Sequence, residues 1–228
     1  MSSEPKIIAL GLLDETGIAS TSMPCRTWDE LESQAPGGPR TYRALTGKQD
    51  QTFRRLDRAT RTLVLAAEAS GLSQILSDAE RDECALIVET STGCIEADLR
   101  YARLLNEGTV HAAIFPYTLQ STSLGDVTLR HGLRGVTLSL SIAPGGEGEA
   151  LREARRVLCS GAAPYALVAS VDVLDEPLPG TEPVLRAVTC LLAAPEMQVS
   201  AITAWPVDAA DPFSALAKIC REHSQPSK

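Results

Sequence analysis

Two stretches of this chain leave no room for a wet face. Cys84-Ala-Leu-Ile-Val-Glu89 and Tyr165-Ala-Leu-Val-Ala-Ser-Val-Asp-Val173 are apolar and small-residue runs too short for buried helices. Strands of that composition have to be covered on both sides. Ile7-Ile-Ala-Leu-Gly-Leu-Leu13 reads as a third such strand. Helical patterns fall between them. Asp57 to Ser70 is one, with Gly71 placed to close it; Ile95 to Asn106 is another, and a third lies within Thr118 to Arg130. A fourth runs from about Glu147 to Cys159 and ends at Ser160-Gly161. Val136-Thr-Leu-Ser-Leu-Ser-Ile142 alternates apolar and small polar residues, as a strand with two different faces does. Further strands are predicted at Leu185–Ala193 and Gln198–Trp205, and Asp211-Pro212 opens a last helix. Residues 14–53 are predicted irregular apart from a short helix at Trp28–Ser33. Ala35–Pro39 and Glu176–Gly180 are predicted loops, and residues 224–228 a frayed tail. Strands alternating with helices predict one α/β domain over residues 1–228, with a mixed, mainly parallel sheet and helices on both faces.

The charge balance narrows the function. Twenty-one Lys and Arg stand against 29 Asp and Glu, and only 4% of residues are aromatic, so neither a nucleic-acid nor an anionic-membrane face is expected. No apolar run approaches the roughly 20 residues of a membrane span, and the start has an acidic residue where a signal peptide has basic ones. The six cysteines form no C-x-x-C pair and the three histidines no H-x-x-x-H pair, so no metal and no cofactor is expected. Reduced thiols in a cytoplasmic protein are the simplest reading.

Three places in the sequence have residue types suited to chemistry. Ala143-Pro-Gly-Gly-Glu-Gly148, between a strand and a helix, lies where a phosphate loop would. However, G-x-G-x-x-G from Gly146 would need glycine at Leu151, and Glu147 and Glu149 suit a helix N-terminus better than a phosphate. Arg40, Arg43, Lys48, Arg54, Arg55, Arg58 and Arg61 form a basic stretch in an acidic chain; they are either a solvated face or a site for an anionic partner. Cys94, between a strand and a helix, has the position of an activated thiol but no histidine in the local sequence, which favours a packing role.

Several phrases in fixed order resemble the β-ketoacyl synthases of the thiolase-like fold. They are Arg54-Arg-Leu-Asp-Arg58 before an alanine-rich helix, Phe115-Pro-Tyr-Thr-Leu119 leading to Gly125, and Arg130-His-Gly-Leu-Arg-Gly135. Ala166-Leu-Val-Ala-Ser-Val-Asp172 then resembles the strand after the family's nucleophile helix. The resemblance covers about residues 5–205 and implies the first half of a two-half fold. It also implies that the condensing cysteine's place, after Ala143, is held by Pro144, which has no nucleophile and no N–H. His111, His131 and His223 match neither catalytic histidine of the family, which come from the second half.

The expectation is therefore a non-catalytic, half-length ketosynthase-like subunit of chain-length-factor type. It would pair with a full-length ketosynthase in polyketide, aryl polyene or fatty acid biosynthesis. The resemblance implies that Val136, Thr137, Leu138, Ser139, Leu140, Ser141 and Ile142 form the strand that pairs with the partner. It also makes Arg54, Arg55, Arg58 and Arg61 candidates for docking an acyl carrier protein. The helix after Pro144 has Glu147, Glu149, Arg152, Glu153, Arg155 and Arg156 on one side and Ala150, Leu151, Ala154, Val157 and Leu158 on the other. That is a surface helix, and it implies that a second half is absent by design. The alternatives are a homodimeric scaffold using the same half-fold, and an enzyme with chemistry moved to Cys94 or Cys159.

Overall fold

A computed structural model describes residues 4–34, 39–143, 145–175, 181–206 and 209–224. In chain order they form β1 (Lys6–Asp14), β2 (Gly17–Ser20), β3 (Arg26–Thr27), α1 (Trp28–Gln34), α2 (Pro39–Thr46), a 3-10 turn at Phe53–Arg55, and α3 (Arg58–Ala69). There follow α4 (Leu72–Ile75), α5 (Asp78–Asp82), β4 (Ala85–Thr90), α6 (Ile95–Asn106), a second 3-10 turn at Phe115–Thr118, and α7 (Gln120–His131). β5 (Thr137–Ser141), α8 (Glu149–Cys159), β6 (Tyr165–Leu174), β7 (Val184–Ala193) and α9 (Pro212–Ser224) complete the described elements.

The seven strands among the described residues make one mixed sheet in the order β3-β2-β1-β7-β6-β4-β5. The apolar runs are its centre, and helices cover both faces as expected. One core packs Leu63, Val64 and Val127 of α3 and α7 against Leu86, Leu167 and Leu191. The other packs Leu151, Leu158, Phe213 and Leu216 of α8 and α9 against Ile87, Val168 and Leu192. Neighbouring strand residues thus serve opposite cores. In β1 the register shifts between Ile7 and Ala9, and residues of equal parity there end in different cores. Gly11 of β1 lets α3 approach closely, because a Cβ there would lie 2.5 Å from the Ala66 carbonyl oxygen.

Three expectations need correction. Among the described strands, parallel pairing is confined to β4 with β5 and β4 with β6, whereas β1–β2, β2–β3, β1–β7 and β6–β7 are antiparallel, so the sheet is mixed but not mainly parallel. Composition alone could not distinguish a doubly covered antiparallel strand from a parallel one. Gln198–Trp205 is not a strand; it touches the sheet through one bridge, Ile7 to Thr203, and its apolar residues join the cores individually. The stretch 14–53 is more ordered than expected and holds β2, β3 and α2, the last with Pro39 at its start. The expected loops at 35–38 and 176–180 and the tail 225–228 lie outside the described residues. No helix among the described residues is long and apolar enough to cross a membrane.

Candidate functional site

The turn between β5 and α8 is built on glycine. Gly145 and Gly148 have φ of 85° and 92°, the left-handed region that glycine enters without a Cβ penalty. A Cβ on Gly148 would also meet the Pro212 ring at 2.5 Å, so the turn is seated against the start of α9. The Gly145 N–H donates to Glu147 Oε1 at 3.1 Å and the Gly146 N–H to the Ala143 oxygen at 2.9 Å. Pro144 lies outside the described residues.

The N-terminus of α8 is already occupied. Glu89, at the end of β4, is 0% exposed. Its Oε1 accepts from the Gly148 N–H at 3.0 Å and its Oε2 from the Ala150 N–H at 2.8 Å. Burial pushes this carboxyl above the usual range, while the two N–H groups and Arg152 pull it back down. An internal carboxylate therefore fills the anion position that the dipole and free N–H groups of α8 would offer a phosphate. Sequence reasoning missed Glu89, although the signal was present: an acidic residue ending the apolar run Ala85-Leu-Ile-Val-Glu89.

Among the described residues β5 is the last strand on its side of the sheet and pairs with β4 alone. Its residues alternate as predicted. Leu138 and Leu140 pack towards the α8 core, and Thr137, Ser139 and Ser141 are exposed. Gln120 of α7 straddles that exposed side; its Nε2 donates to Ser141 Oγ and its Oε1 accepts from Ser139 Oγ, both at 2.8 Å. Val136 and Ile142 flank the strand; Val136 is exposed and Ile142 half-buried. Next to this edge is a surface that the sequence reading passed over. From Gly108 to Gly125 there is no Asp, Glu, Lys or Arg. Within it Val110 is 75% exposed and Phe115 and Leu119 each 54%, with Phe115 packed on Tyr101 at 5.8 Å between ring centroids. Residues 135–146 are likewise free of charged side chains.

The four candidate docking arginines are neighbours with different situations. Arg54 and Arg55 end the 3-10 turn and are exposed. Asp57 caps α3 by accepting from the Thr60 N–H at 2.9 Å. Arg58 is ion-paired with Asp175. Arg61 bonds the Asp57 carbonyl oxygen through Nε at 3.4 Å. The charged back of α8 is satisfied locally, by Arg152 with Glu149, Arg156 with Glu153, and Arg155 with Glu4. Its opposite side is buried through Ala150, Leu151, Ala154, Val157 and Leu158, as the amphipathic pattern predicted.

Of the candidate thiols, Cys94 precedes α6 but is pushed up to about 11 by burial and by Asp98 and Asp57, the reverse of an activated nucleophile. Cys159 is exposed at the end of α8. The histidines stand apart. His111 is exposed, His223 is in the last turn of α9, and His131 is buried with Nδ1 3.0 Å from Ser73 Oγ and Nε2 3.8 Å from Glu68. No cluster among the described residues could hold a metal ion.

No family model and no curated protein matches the chain. Solved structures do. The ishigamide ketosynthase/chain length factor matches with a TM-score of 0.60 and 15% identity over 85% of this chain and 63% of that one. A ketosynthase in complex with its chain length factor from Xenorhabdus doucetiae matches at 0.59 and 16%, over 99% of this chain and 93% of that one. A type II polyketide synthase acyl-carrier protein in complex with its ketosynthase bound to the hexaketide matches at 0.59 and 13%, over 86% and 64%. The chain thus spans less than two thirds of the first and third, but nearly the whole of the second. This chain has the thiolase-like fold of ketosynthases and chain length factors.

Proposed function

We propose that the chain is a non-catalytic subunit of chain-length-factor type that pairs with an active ketosynthase. The carrying observation is the exposed edge of β5 lying beside an uncharged, partly apolar surface from Gly108 to Gly125. An open edge and a patch of that kind are managed in natural proteins by covering them. The near full-length match to one chain of a ketosynthase–chain length factor complex supports the same reading. At the turn, Ala143, Gly145 and Gly146 carry no nucleophile, Pro144 has neither thiol nor N–H, and Glu89 closes the helix end behind them. The partner strand would add to β5 by its backbone, and the uncharged surface would lie against the partner's acyl channel. Arg54 and Arg55 offer an acidic carrier protein two exposed cations.

Native mass spectrometry of the tagged protein drawn from its own source tests this. A one-to-one complex with a full-length ketosynthase is the expected result. A homodimer with no ketosynthase bound would replace the reading with a self-paired scaffold, which the same open edge would serve.

A further inference from the structure

Arg58, Arg61, Thr62 and Leu65 stand at i, i+3, i+4 and i+7 of α3 and so share one face. That face lines a cavity of about 210 Å3, completed by Leu13, Phe53, Trp28, Thr41 and Leu185. Leu13, Phe53 and Leu65 are buried beneath it, and Trp28, Arg61 and Leu185 are half-exposed on its walls. The two guanidinium groups differ. Arg58 is engaged by Asp175, whereas the only hydrogen bond of Arg61 among the described residues is the Nε contact to the Asp57 carbonyl, so its terminal nitrogens face the cavity's surroundings unpaired. Asp57 and Glu96 lie within electrostatic reach, but the Asp57 carboxylate is spent on Thr60 and neither bonds Arg61.

We propose that this groove binds a short-chain carboxylate, with its head on the terminal nitrogens of Arg61 and its tail among Trp28, Phe53, Leu65 and Leu185. An apolar cavity with one unpaired cation suits a ligand with an apolar body and a single anionic end. The nearby Asp57 and Glu96 favour a monoanion over a phosphate dianion, which they would repel. At about 30 Å3 per water-sized atom, the cavity takes roughly seven heavy atoms, close to the size of a carboxylate of about five or six carbons with its two oxygens. The inference goes beyond the partner reading. It uses neither β5 nor the glycine turn, and a small-molecule probe keeps it separate from carrier docking at the same arginines.

The test titrates the purified chain with sodium hexanoate, followed by ligand-observed NMR and by Trp28 fluorescence in a Trp205→Phe background. Saturable binding is expected, weaker by about tenfold or more in Arg61→Gln, the loss of one charge-assisted bond. Hexanol should bind more weakly than hexanoate, and Leu65→Trp, which fills the cavity, should abolish binding. Melting curves that match the parent's would show that Arg61→Gln is folded. Absence of saturable binding at millimolar hexanoate, equal binding by folded Arg61→Gln, or hexanol binding as tightly as hexanoate would each overturn the proposal.

Discussion

Replacing Glu89 with Gln changes one atom and tests what holds the β5–α8 turn. The carboxylate satisfies two N–H groups, those of Gly148 and Ala150, from a fully buried position. A carboxamide has one oxygen, so it can satisfy only one of them, and its NH2 faces the other. One orphaned buried N–H costs about 1–3 kcal/mol. Losing the negative charge at a helix N-terminus adds about 0.3–2 kcal/mol. Relief from burying a charge offsets part of this, in line with the upward push that burial exerts on the Glu89 carboxyl. The net expectation is a loss of about 2 kcal/mol, which for a chain of this size lowers Tm by about 4–8 °C. Urea unfolding at pH 7.5, followed by far-UV circular dichroism, measures it. The m-value should be unchanged, since the same surface is exposed on unfolding. A variant within about 0.5 kcal/mol of the parent, the range of an ordinary surface change, would refute the reasoning and mean that the contacts of Glu89 do not secure α8.

Four further outcomes follow from the same geometry. His131 is 3% exposed and held down to about 4 by burial and by Arg81, Arg130 and Lys48, against 6.5 when unfolded. The stability it contributes is full above pH 6.5 and is lost as pH falls towards 4, by about 3 kcal/mol in all. Glu68, raised by burial, opposes this in the acid part of the window. His131→Gln should flatten the pH dependence of urea unfolding, and parallel curves for parent and variant would count against it. Ser139→Lys on the β5 edge and Phe115→Arg on the uncharged surface should each abolish co-purification with a ketosynthase while shifting monomer stability by under about 0.5 kcal/mol; retained pairing would sink the assigned interface. Arg54→Glu with Arg55→Glu should weaken capture of an acyl carrier protein, and unchanged affinity in a binding titration would remove those residues from the docking surface. Pro144→Cys should gain no condensing activity in an acyl-transfer assay of the chain alone, since His131 is buried beside Ser73 and Glu68, and measurable turnover would contradict the pseudoenzyme reading.

How much was legible depended on whether the signal was local. Asp57, Gly71 and the apolar face of α8 each act on residues only a few positions away in sequence, and the helices they define lie where the sequence put them. Strand direction is not local. β1 and β6 are apolar on both sides whether their neighbours run with or against them, so the antiparallel β1–β7–β6 unit was invisible to composition. The candidate turn was found through its glycines, but the Glu89 that secures it lies some sixty residues earlier, and only the fold brings the two together. Arg58 and Arg61 read alike in sequence; Asp175, distant in the chain, is what makes them different. The uncharged stretch after Glu107 is legible in sequence as a run without Asp, Glu, Lys or Arg, but that it is exposed beside β5 follows only from the fold.

The pairing of β1 with β7 also has a consequence in time. Leu10 lies opposite Cys190 and Asp14 opposite Arg186, so β1 leaves the ribosome well before the strand it pairs with. At about 5–20 residues per second, synthesis of the intervening chain takes roughly 10–40 s. During that wait the hairpin partner β2 covers only Gly11–Asp14. The nascent chain thus carries an almost wholly apolar segment with one bare side, to which α3 is the earliest available cover, closing over Gly11. Termination anywhere before Ala193 would leave that segment without its long partner, and such fragments should be captured by chaperones or aggregate rather than accumulate as folded, shorter forms.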